Sequence, residues 1–323
     1  MNYSDDAFVT LLLTMSLSPN REEFARPLST AEMHQLEERV RKCDIGRIGR
    51  LANIDISGLM LKLGISEEEA YRIYTLMNRE VQISYSLENF LKQEIEVVTC
   101  RDADYPRRLH LRMDAAAPQI FYRCGNPDLL DRPMLAVVGI SGVKTTAEVR
   151  KYVETIVDNG IRLGYTLLTG GELGVSRVVA NLVLERGGTL VEVLGGDMAA
   201  HMHEDGIAEL IAMQRAAVIS LEHPEALFTV SHGIARNKVL FSLAEAAFVF
   251  NTDGKRGETD ALRNRYCDWI YAWTGHAGAA ALVSRGAIGV NDVTALDFDD
   301  LSRHWKNSQS EQMSLFDMLD HLN

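Results

Sequence analysis

The chain has 323 residues, 46% of them hydrophobic and 24% charged, with a formal net charge of -12. That length can bury one large core and a smaller second one, and unremarkable glycine and proline contents exclude a fibrous or low-complexity protein. The negative charge argues against the broad basic face that coats duplex DNA, a mode that neutralises many phosphates, but it leaves room for a local basic groove.

The start, Met1 to Asn20, holds a short apolar run preceded by acids, without the basic residues and cleavage site of a signal peptide. No later segment reaches membrane-spanning length. Cys43, Cys100, Cys124 and Cys267 lie far apart with no CxxC pair, so neither a zinc site nor a disulfide framework is expected, and a reducing cytoplasm fits best. Up to about Leu91 the apolar spacing is helical, in Met33, Leu36 and Val40 and again in Leu59, Leu61 and Leu63, with a helix start at Ser66-Glu67-Glu68-Glu69. An all-helical domain is expected over 1–92.

From Ile95 the texture changes. Ile95 to Val98 reads as a strand, and Pro106, Pro118, Gly125, Pro127 and Pro133 punctuate a connecting stretch. Strand and helix then alternate: strands at 135–138, 166–168, 190–194, 218–220 and 248–250, and helices at 147–159, 175–186, 207–215, 238–246 and near Thr259 to Arg265. Near-continuous apolar strands between amphipathic helices predict an α/β, Rossmann-like, doubly wound and mainly parallel sheet over 93–297, followed by a tail over 298–323. Ligands of such sheets bind beyond the carboxyl ends of the strands. Glycines cluster there, at Gly139 and Gly142, at Gly170, Gly171 and Gly174, at Gly195 and Gly196, and at Gly254 and Gly257. They suggest an anion pocket, although tight turns alone also explain them. Two nucleotide motifs fail: the segment Gly139 to Thr145 is too short for a Walker A loop, and no third glycine completes a dinucleotide fingerprint. The run Lys255 to Arg265 carries Lys255, Arg256, Arg263 and Arg265 against Glu258 and Asp260, a positive island that also reads as a solvated helix face.

Several stretches resemble the DNA-processing protein (DprA/Smf) family. They are Asp104-Tyr105-Pro106-Arg107-Arg108-Leu109, then Ala117-Pro118-Gln119-Ile120-Phe121-Tyr122, then Gly125-Asn126, then Leu135 to Gly139. That order is similar to the family's "YP..L" and "P..L(F/Y)..G(N)" elements ahead of the first core strand. Thr169 to Ser176 stands at the family's "SGgA.GID" turn, and Gly187 to Gly195 is similar to its "GGTiaVlg" strand. Arg236-Asn237-Lys238 is similar to "RNR", and Gly257 to Ala261 to "GslxTA". The chain also departs from the pattern. Gly139-Ile140-Ser141 replaces Gly-Ser-Arg, so Lys144 or another base would stand in for the arginine, Ser176 and Asn181 replace an acid and a histidine, and Glu172 replaces a small residue. The resemblance implies a non-enzymatic protein, without cofactor or metal, that binds single-stranded DNA in DNA processing, natural transformation or recombination. It also implies delivery of that strand to the RecA recombinase and a homodimer formed through the Rossmann-like domain. The phosphate-binding residues implied are Gly139, Ser141, Lys144, Gly170, Gly171, Gly174, Arg236, Asn237, Lys238, Gly257 and Thr259, with Phe228, Tyr266 and Trp269 as candidate aromatic platforms.

The alternative is a nucleotide-sensing or nucleotide-cleaving pocket, with Glu172 as candidate acid, a residue that also reads as an ordinary helix N-terminal carboxylate. In His201-Met202-His203-Glu204-Asp205, alternate residues would share a face if they lay on a strand, but exposed loop histidines are the preferred reading over a metal site. Near the end, Gln312-Met313-Ser314-Leu315-Phe316 is similar to the sliding-clamp binding peptide "Q(L/M)(S/D)LF", with Leu315 and Phe316 as anchors and Gln312 as a hydrogen-bonding residue. Met313, Phe316, Leu319 and Leu322 also recur at helical spacing, and a helix covering the protein's own core is the leading reading.

Overall fold

The computed structural model describes residues 3–20, 22–139, 145–250, 252 and 257–306. Its strands are β1 (Glu96–Thr99), β2 (Ile120–Gly125), β3 (Met134–Gly139), β4 (Thr166–Thr169), β5 (Leu190–Leu194), β6 (Ala216–Ser220), β7 (Ala246–Phe250), β8 (Trp269–Trp273) and β9 (Ile288–Val290). The helices are α1 (Asp5–Thr14), α2 (Thr30–Lys42), α3 (Ile56–Leu63), α4 (Glu67–Met77), α5 (Glu80–Lys92) and α6 (Arg107–Met113). They continue as α7 (Ala147–Arg162), α8 (Val175–Arg186), α9 (Met198–His201), α10 (Ile207–Ala212), α11 (Val230–Leu243), α12 (Glu258–Arg263) and α13 (Ala279–Val283). None of the described helices is long and apolar enough to cross a membrane. The chain divides into two compact units. The first takes the described residues up to Pro127 with Leu194–His203 and Ala217–Arg236; the second takes Asp128–Val193, Glu204–Ala216 and the described residues from Asn237 on.

In the first unit, α1 to α5 bury Leu11, Leu12, Leu13, Met33, Leu36, Ile73 and Leu76. Local sequence sets their starts. Ser29 and Glu32 form a capping box at α2, and the Ser66 hydroxyl accepts from Glu69 N (3.2 Å) at α4. Beyond the helices, β2 pairs antiparallel with β1, and also antiparallel with β6. The sequence reads the region of β2 as a connection and places β6 among the parallel strands. Two punctuating prolines on either side of Ile120 to Gly125 hide the first, and a strand of fully buried residues reads the same in either direction, which hides the second.

In the second unit the strands run in the order β5-β4-β3-β7-β8-β9, all parallel. Every residue of β4, β5 and β7 is buried, which explains why these strands are apolar apart from the two threonines at the ends of β4 and Glu192 in β5. From β3 the chain moves outward through α7 to β4 and through α8 to β5, then returns to β7 on the other flank of β3. The order of the strands therefore reverses between β3 and β7, the kind of crevice where open α/β sheets bind ligands. The last described helix, 298–306, is pinned by Trp305, 1% exposed, whose indole N–H donates to the Tyr271 hydroxyl (3.2 Å), and by a Tyr165–Ser302 hydroxyl contact (2.9 Å).

Candidate functional site

Gly139 ends β3 at the reversal point. A Cβ built on it would lie 2.9 Å from Val175 Cγ2 and 3.0 Å from the carbonyl oxygen of Phe250, so the backbone of β3 is in contact with the start of α8 and the end of β7. No larger residue fits without moving one of them. The glycine expected from the turn pattern is thus required by packing at the crevice itself.

The turn from β4 into α8 is built on two further glycines in the left-handed half of backbone space, Gly171 (φ 72°) and Gly174 (φ 105°). Gly174 is the N-cap of α8 and gives no side-chain cap, whereas α7 is capped by Thr146, whose hydroxyl accepts from Val149 N (3.2 Å). Without a side-chain acceptor, the first-turn amides of a 12-residue helix and its positive dipole end are directed at whatever lies beyond Gly174. Gly170 is buried, Glu172 half-buried and Leu173 exposed. Under the turn, Gly171 N donates to the Thr169 hydroxyl (3.3 Å), which donates to Glu192 Oε1 (3.0 Å). Sequence reasoning passes over Glu192; the available signal is one acid inside the apolar run of β5.

Helix α11 begins at Val230, where the sequence places its start near Lys238. The Thr229 hydroxyl accepts from His232 N (3.1 Å), an N-cap that precedes the apolar periodicity. Arg236-Asn237-Lys238 is therefore mid-helix, and consecutive helical residues project in different directions. Arg236 is only 5% exposed, while Asn237 and Lys238 are half-buried. A Cβ on Gly257, itself at φ 67°, would lie 2.5 Å from Asn237 Nδ2, so the Asn237 side chain is set against the turn that opens α12. Thr259, half-buried, is in the first turn of α12, and Arg263 of the positive island is ion-paired with Asp260 on the same helix. Gly139, Gly170, Gly171 and Gly174 belong to the carboxyl ends of parallel β3 and β4, and Asn237, Lys238, Gly257 and Thr259 to the same unit. Ser141, Lys144, Lys255, Arg256, Gln312, Leu315 and Phe316 lie outside the described residues.

In the first unit, the turn at Gly195 and Gly196 is covered by the loop 226–228. A Cβ on Gly196 (φ 147°) would lie 2.6 Å from Phe228 N, and one on Gly195 would lie 3.1 Å from the Phe228 ring, which is 47% exposed. Of the other aromatic candidates, Tyr266 is 7% exposed, and burial followed by Asp260 pushes its hydroxyl pKa up; Trp269 is half-buried at the start of β8. Neither presents an open face comparable to Phe228. His201 ends α9 and is buried, and His203 lies past the helix, so the two do not share the face of a strand. Among the described residues no group of three or more His, Cys, Asp or Glu could hold a metal ion.

This architecture matches known proteins. No curated protein matches the chain by sequence. In structure it is similar to DNA processing protein A (DprA) from Streptococcus pneumoniae, with a TM-score of 0.65 and 18% identity, covering 91% of this chain and 97% of that one. It is also similar to DNA processing protein A from Helicobacter pylori, with a TM-score of 0.53 and 17% identity over 66% of this chain and 98% of that one. The family model of the DNA recombination-mediator protein A matches residues 96–267, the stretch from β1 through the end of the turn that follows α12. That stretch is more than half of the chain and contains every glycine turn described above, and the chain therefore belongs to the DNA recombination-mediator protein A family.

Proposed function

We propose that this protein binds single-stranded DNA by its phosphodiester backbone, at the carboxyl ends of the parallel strands of the second unit, and acts in DNA processing, uptake or recombination. The observation that carries this reading is the open start of α8 on Gly174, beside the strand reversal at Gly139. Backbone amides at a helix N-terminus hold phosphate without reading bases, which suits a ligand of arbitrary sequence and a protein of net charge -12. The Helicobacter pylori protein has a single-stranded DNA binding mode, and the shared fold supports the same ligand class here. In this reading the protein is a cytoplasmic homodimer that is not an enzyme and that passes the strand to RecA.

The test is binding of a labelled oligo-dT and of free mononucleotides at two salt concentrations. Oligo-dT is expected to bind more tightly, with a salt-dependent affinity. Lys238→Ala and Lys144→Ala are each expected to flatten the log–log salt slope by about 0.7, the single-strand value for one phosphate contact. Arg236 is not used for this test, because removing a buried guanidinium acts on the fold as well as on charge. Parent-like binding by the double lysine variant would refute the phosphate assignment. Nucleotide binding without oligonucleotide binding would establish the sensing alternative, in which Glu172 becomes the acid to mutate.

The proposal extends to the tail. Trp305 and Ser302 anchor the last described helix, 298–306, to the second unit, a few residues before Gln312 in sequence. Gln312, Leu315 and Phe316 then dock in the apolar groove of the sliding clamp. A synthetic peptide of residues 307–323 is expected to bind purified clamp, and Leu315→Ala with Phe316→Ala to abolish binding in the full chain without lowering its melting temperature. A melting temperature that falls in the double variant would show instead that the segment packs on the protein's own core.

A further inference from the structure

Glu192 is 1% exposed in the middle of β5, among Leu190, Val191, Val193 and Leu194. A carboxyl group in such a strand is unfavourable unless hydrogen bonding compensates its lost hydration. Its neighbour across the parallel ladder is Thr169, the last residue of β4, with Thr169 and Glu192 in register. Thr169 is fully buried, and its hydroxyl has one proton to give. That proton goes to Glu192 Oε1 (3.0 Å), which leaves the oxygen lone pairs for Gly171 N (3.3 Å), the amide at the centre of the turn.

From this arrangement we infer that Glu192 and Thr169 are positioning residues for the phosphate turn: Glu192 orients the Thr169 hydroxyl, and Thr169 ties the Gly171 amide inward. With Gly171 fixed at φ 72°, the chain leaves the sheet in one direction, and the amides that follow, up to the open start of α8 at Gly174, are aimed together. A glycine turn has little conformational preference of its own, so a hydrogen bond to its first amides restricts it before any ligand arrives. The ligand class is a phosphodiester anion, and the inference rests on the reading proposed above. Neither residue touches the ligand.

The experiment compares oligo-dT binding by the full-length parent, Thr169→Val, Thr169→Ser, Glu192→Leu and Glu192→Gln, with near-ultraviolet circular dichroism as the check on folding. Thr169→Val keeps the shape and removes the hydroxyl, and Glu192→Leu keeps the hydroxyl and removes its acceptor. Each is expected to weaken oligo-dT binding on the order of tenfold, the value of one charge-assisted hydrogen bond. Thr169→Ser and Glu192→Gln retain a hydroxyl and a carbonyl acceptor, and are expected to recover the parent affinity. A role in packing alone would spare Thr169→Val, which keeps the shape of threonine, and would not be rescued by the smaller serine. If Thr169→Val fails to fold, Glu192→Leu and its glutamine counterpart decide the matter. Parent-like affinity in folded Glu192→Leu overturns the inference and leaves the DNA-binding reading standing. A parent that does not bind oligo-dT overturns that reading instead.

Discussion

Arg79→Met is expected to lower stability by about 3–5 kcal/mol, the magnitude for one partner removed from a buried ion pair. The Arg79 side chain is 8% exposed and that of Glu23 10%. The guanidinium donates to Leu12 O (2.8 Å), Met15 O (2.6 Å) and Glu23 Oε2 (2.7 Å). The two carbonyls belong to the last turn and C-cap of α1, where intrahelical partners run out and a cation is favoured by the helix dipole. Glu23 in turn accepts from the Ser16 hydroxyl (2.6 Å) and Leu17 N (2.8 Å). Methionine fills a similar volume yet leaves two carbonyls and a buried carboxylate without their donor. In a protein of ordinary stability, about 5–15 kcal/mol, the loss is a large fraction of the whole. A thermal melt followed by circular dichroism is expected to show a drop on the order of 10 °C. A melting temperature within about 2 °C of the parent would mean that the α1 carbonyls and Glu23 find other partners at little cost.

The second large effect is expected at Gly139→Ala. Its new methyl group would meet a Val175 side-chain carbon at 2.9 Å and the Phe250 carbonyl at 3.0 Å, and the latter is backbone that no rotamer change can move aside. Overpacking of this kind costs about 1–3 kcal/mol, relieved by shifting α8 away from β3. Such a shift displaces the open helix start that the DNA-binding reading depends on. Oligo-dT affinity is expected to fall on the order of a hundredfold, as for the loss of two charge-assisted contacts. Gly160→Ala is the matched control. Gly160 lies within α7, where a Cβ would meet Leu167 at an ordinary 3.5 Å, so alanine is expected to stabilise the protein by about 0.5–1 kcal/mol and leave binding unchanged. Equal effects of the two substitutions on binding would show that the reversal point has no special part in it.

Much of this was legible in the chain itself, wherever structure is dictated by neighbours in sequence. The runs at 135–138, 166–168 and 190–194 are apolar because both faces of those strands are buried, and Ser66 starts a helix because its own hydroxyl meets an amide three residues on. The glycines after these strands mark the edge of a parallel sheet, and the motif order from Tyr105 to Gly139 carried the family. Tertiary structure decided the rest. The direction of β6 and the return of the chain from β5 to β7 depend on strand pairing, which side-chain periodicity does not encode. The tripeptide Arg236-Asn237-Lys238 is separated into a buried, a turn-contacting and a half-exposed residue only because the helix begins at Val230, so that each step around its axis meets a different neighbour. Gly139 is recognisable as a glycine in a turn, but that it can be nothing else follows from Val175 and Phe250, residues distant in sequence that the sheet order brings to within van der Waals contact of it.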